Sequence, residues 1–311
     1  MQSIQECQGW FARPDVINAL HLHELSWVQQ NLPGGVGKYI AARSKALLAA
    51  FNDLLGAQAQ SRFREANDGR NPDDRCRTLV LATDLDRMNS PAMFASYLRN
   101  SQDTYTIIGV MMAAIAIPEQ TLPVQLIPVR DTPTKMPNME CVSASMTGHA
   151  NPSLQALIEA EDQKWTIHTI LSIGCGIRSW GRAEGWGKAN SPRQQLTDAA
   201  EVTGRIATDT ERTECQVRRL CDRKIYYDRF NVPDGVMSED VGDWKRTLTQ
   251  ECQSKISEYL AETRVDESLK ICHERLEIAN AIPTPVLAEP PPVYCPFDTF
   301  LPEIKLSKND G

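Results

Sequence analysis

Between Asn151 and Gly174 the chain changes its hydrophobic period within two dozen residues, which restricts what the whole can become. Asn151-Pro152 suits a helix start, because a proline in the first turn forfeits no intrahelical hydrogen bond. Ser153 to Asp162 then places Leu154, Leu157, Ile158 and Ala160 at helical spacing. Thr169-Ile-Leu-Ser-Ile173 follows as a short apolar run with β-branched members and ends on Gly174, which predicts a buried strand. Helix followed by strand at this separation is the βαβ rhythm of a parallel α/β sheet.

The rest of the chain fits that class. The first seventy residues read as helices broken at Pro33-Gly34-Gly35, with Ile40, Ala46, Leu47, Ala50, Phe51, Leu54 and Leu55 at helical spacing. A polar loop, Ala66 to Asp74, leads into Arg77-Thr-Leu-Val-Leu-Ala-Thr83, the pattern of a buried strand. A second extended piece is expected from Met93 to Leu98, then a small-residue helix through Tyr105 to Ile117 that Pro118 stops. Four prolines between Thr121 and Met139 predict a surface loop. Beyond Gly174 the pattern predicts a glycine-containing loop (Gly181 to Ser191), a long amphipathic helix (Gln194 to Arg223) and an aromatic extended stretch (Ile225 to Val232). Two further helices are expected near Asp243 to Leu260 and Glu267 to Ala279. The expected division is a helical segment over 1–75, an α/β domain over 76–280 and a proline-rich flexible tail over 281–311.

Charge and cysteine usage narrow the function. A net charge of −7 argues against a broad electrostatic footprint for nucleic acid. Met1 to Pro14 contains Gln2, Gln5, Glu6 and Gln8 where an export signal needs an apolar core, and Ile107 to Ile117 is far shorter than the ~20 residues of a membrane span. Nine scattered cysteines without a C-x-x-C pair fit reduced thiols, so a cytoplasmic location is expected, with attachment to a membrane periphery open. His21 and His23, two apart, point away from each other on a helix, and no metal or other cofactor is expected.

Several blocks resemble patatin-like acyl hydrolases of the fungal type, in that family's order. Cys76-Arg-Thr-Leu-Val-Leu-Ala-Thr83 resembles its C-R-T-F-V-V-A-T strand, and Asn89-Ser-Pro-Ala-Met-Phe-Ala-Ser-Tyr97 its N-S-P…F…S-Y segment. Ile108 to Pro118 is similar to the A-x-x-A-T-S-A-A-P helix, Gly148-His-Ala-Asn-Pro152 to the G-x-N-N-P helix start, and Ile170-Leu-Ser-Ile-Gly174 to the I-L-S-I-G-T-G strand. Tyr226-Tyr-Asp-Arg-Phe-Asn-Val232, then Asp243-Trp-Lys245, resembles the late Y-Y-R-F-N-V…W-K region. The resemblance spans Cys76 to Leu260. It implies the C-terminal part of a three-layer patatin-like α/β fold, truncated at the N-terminus, with a small, mainly parallel sheet and many helices.

The resemblance also implies a Ser–Asp dyad of a phospholipase-type acyl-ester hydrolase, and the chain departs from it. The base aspartate falls at Ser143, and its turn glycines at Ala144 and Ser145. A hydroxyl has no useful basicity near neutral pH. No G-x-S-x-G occurs in the 311 residues, so a nucleophile elbow is expected to be absent. Ile170 to Arg178 also resembles the family's glycine-rich oxyanion loop, but beyond Ser179 only Ser191, in Asn190-Ser-Pro192, follows before Asn231 and it makes no elbow, so the late-strand reading is preferred. The expectation is a catalytically inactive relative that binds a lipid or membrane surface, or a protein or second copy covering an exposed sheet edge. The alternative is a lipid acyl-ester hydrolase completed by further sequence or another chain. Binding candidates are His149, Asn151 and Gly174. Cys175 is read as an inert thiol, Asp84 and Asp86 as surface carboxylates, and Arg218, Arg219, Arg223 and Lys224 as a solvated helix face.

Overall fold

A computed structural model describes residues 13, 35–63, 77–97, 105–118, 120–129, 138–174, 203–204, 206–221, 225–232 and 250–281. Helix α1 (Gly35–Leu55) begins where the Pro-Gly-Gly break predicts, and buries Leu47, Ala50 and Phe51 along one stripe. Helix α2 (Ile107–Ala114) is nearly all apolar and is capped by Thr106, whose Oγ1 accepts the Gly109 N–H at 3.2 Å. Leu47, Ala50 and Phe51 pack against Ile108 and Met112, so α1 and α2 share one apolar cluster.

The other side of α2 lies on a four-stranded sheet. Strands β1 (Leu79–Asp84), β2 (Pro91–Ala95), β3 (Val124–Leu126) and β4 (Met139–Ser143) are ordered β2-β1-β4-β3. Ala82, Phe94, Val110, Ala113, Leu126 and Cys141 form its core, with Phe94 and Tyr105 edge to face at 5.7 Å. Gly109 packs closely against β3, since a Cβ there would sit 3.0 Å from Leu126 Cδ2.

All pairings in this sheet are antiparallel, which corrects the expectation of a mainly parallel sheet. For β1 and β2 the cause is local: they are joined by the short turn 85–90, and a connection that short can join only antiparallel neighbours. Strand β3 likewise corrects the reading of Thr121 to Met139 as loop alone. Pro123 and Pro128 bracket Val124-Gln-Leu126 without interrupting it, and Leu126 is only 1% exposed.

Helix α3 (Ser153–Asp162) matches its expected bounds, and β5 (Thr169–Ile173) follows. Strand β5 does not join the larger sheet. It pairs in parallel with β6 (Tyr226–Phe230), in the register Ser172↔Arg229, with helix α4 (Glu211–Leu220) between them in sequence. The βαβ rhythm therefore runs through β5, α4 and β6. Among the described residues the long helix expected from Gln194 to Arg223 is interrupted: 208–210 are not helical, and Asp209 Oδ1 accepts the Glu211 N–H at 2.9 Å to open α4. Helices α5 (Gln250–Ala261) and α6 (Thr263–Ala281) end the described chain. The expectations for His21, His23, Ala66 to Asp74, Cys175, Gly181 to Ser191, Arg223, Lys224 and the tail over 282–311 lie outside the described residues.

Leu126→Ala is expected to lower stability by about 2–5 kcal/mol, the cost of emptying a buried leucine site. A chemical denaturation midpoint that falls with an unchanged slope checks it.

Candidate functional site

Strand β4 ends at Ser143, where the chain tightens into a 3-10 turn, Ala144–Thr147. Ser143 is buried, its N–H donates to Ala116 O at 2.8 Å, and its Oγ lies 2.9 Å from Ser145 Oγ. Thr147 Oγ1 is 2.7 Å from Thr83 Oγ1, and Gly148 closes the turn at φ +91°, a conformation that favours glycine. The position expected for a base thus holds a hydroxyl bonded to a second hydroxyl, next to a second such pair. Cys141 offers no nucleophile: burial, reinforced by Asp84, pushes its thiol up to about 12.

Beyond the turn, Asn151 is buried at the start of α3. Its Oδ1 accepts from Ser153 N at 3.2 Å, from Ser153 Oγ at 2.7 Å and from Ser172 Oγ at 3.4 Å. Ser172 Oγ accepts in turn from Arg229 Nη1 at 2.8 Å. The Arg229 side chain is 3% exposed, with Nε 3.2 Å from Glu214 Oε2 and Nη2 4.0 Å from Glu211 Oε1. Its Nε is not aligned for a hydrogen bond, so that contact is an ion pair held by distance alone. One guanidinium joins β6, β5, α3 and α4.

Gly174 belongs to the same cluster. Its N–H donates to Phe230 O at 2.9 Å, and a Cβ there would run into the Asn231 side chain and sit 3.1 Å from Arg229 Nη2. Two of the three binding candidates, Asn151 and Gly174, are therefore brought together, and both are consumed in packing the ends of β5 and β6. His149 stands apart: its N–H donates to Ala144 O at 3.1 Å and its Nδ1 is 3.4 Å from Gln155 Nε2.

Arg229, Ser172, Glu214 and Glu211 were not anticipated, although a signal existed. Ser172 interrupts an apolar strand and Arg229 an aromatic one, and a polar residue on a buried face needs a partner. Glu159 is a second such case: it is 1% exposed, and its Oε1 accepts from Tyr97 Oη at 3.0 Å and Gln163 Nε2 at 3.1 Å. Tyr97 also meets Trp165 edge to face at 4.9 Å, so this carboxylate ties α3 to the end of β2.

The remaining candidates have ordinary surroundings. Asp84 Oδ1 accepts the Asp86 N–H at 3.1 Å in the turn after β1. Arg218 pairs with Glu214 at 2.8 Å and lies 5.2 Å from the Tyr227 ring, so it is not simply a solvated residue. Among the described residues no group of three or more His, Cys, Asp or Glu side chains could hold a metal ion, and no helix is long and apolar enough to cross a membrane. No protein-family model matches the chain, and no curated protein matches its sequence.

Two outcomes are expected. Gly174→Ala should destabilise the fold, and Asn231→Ala in the same chain should recover part of the loss; a coupling of about 0.5–3 kcal/mol in a double-mutant denaturation cycle checks it. Burial lowers the His149 pKa below 6.5. The folded state then binds that proton less readily than the unfolded chain, so stability is complete above 6.5 and falls as pH drops below it towards the folded pKa. An NMR titration of the ring should show the lowered midpoint, and His149→Gln should flatten this acid-side loss.

Proposed function

We propose that the chain is a non-catalytic relative of patatin-like acyl hydrolases that acts by binding a lipid or protein partner. The observation that carries this reading is Ser143. The resemblance puts the dyad aspartate there, and the residue present is a buried hydroxyl bonded to Ser145 Oγ at 2.9 Å. Proton abstraction from a serine nucleophile needs a group whose conjugate acid titrates near the working pH, and neither serine provides one.

The surroundings of Ser143 support the same reading. Ala144 and Ser145 carry side chains where the resemblance expects glycines, and Ser145 Oγ occupies hydrogen-bonding distance from Ser143. The 311 residues contain no G-x-S-x-G, so no serine is marked for exposure on a strand-to-helix elbow. Binding is favoured by what lies open: Leu171 and Ile173 on β5 expose large apolar side chains in a two-stranded sheet, and soluble chains rarely leave such strands uncovered without use.

Purified chain treated with a serine-directed fluorophosphonate and assayed on chromogenic acyl esters should show neither covalent labelling nor turnover above buffer. Stoichiometric labelling of one serine together with ester cleavage would overturn the proposal and favour the hydrolase.

A further inference from the structure

We draw no further inference here: the strongest candidate, the outward face of the β5–β6 pair where Leu171 and Ile173 lie exposed, carries nothing of its own, because nothing among the described residues shows what covers it.

Discussion

A guanidinium taken out of water costs several kcal/mol unless its donors find charge and acceptors in the right places, and Arg229 is almost wholly out of water. Its partners come from three other elements: Ser172 on β5, Glu214 and Glu211 on α4 and, through Ser172, Asn151 at the start of α3. That side chain ties Ser172 of β5 to β6 in a two-stranded parallel sheet in which Leu171 and Ile173 face outwards. The charges on α4 fit the same arrangement, with Glu211 and Glu214 in its first turn and Arg218 and Arg219 in its last, each favourable in the helix dipole.

This constraint explains why two of the three binding candidates, Asn151 and Gly174, are taken up in packing. Asn151 spends its Oδ1 on Ser153 and Ser172, and Gly174 is small because Asn231 and Arg229 occupy the space a side chain would need. The ends of β5 and β6 are where an α/β protein commonly puts a ligand, yet here the polar groups answer one another. At Ser143 the pattern repeats on a smaller scale, with paired hydroxyls closing the turn after β4. Among the described residues these polar clusters act as joints.

Local order was legible in the sequence and pairing was not. Asn151-Pro152 and the spacing of Leu154, Leu157 and Ile158 placed α3 to the residue, and Thr169 to Ile173 was read as a strand with the right bounds. Its burial was misjudged: an apolar five-residue run looks the same whether it lies in the middle of a sheet or in a pair with one open face. Parallel and antiparallel neighbours also share a single-strand pattern, so β1 to β4 carried no sign of their direction beyond the short turn at 85–90. Strand β3 was hidden by its flanking prolines. The Arg229 network could have been suspected from Ser172 and Arg229 alone, but their register partnership depends on how β5 and β6 align, and that is a long-range fact.

The central claim is that Arg229 acts as a structural joint through Glu214. A double-mutant cycle of Arg229→Ala and Glu214→Ala, read by equilibrium denaturation at low and at high salt, tests it directly. A coupling above about 1.5 kcal/mol that survives high salt is the predicted result, because a pair this buried is poorly screened. Additivity within about 0.5 kcal/mol would show that Arg229 is not a joint through Glu214.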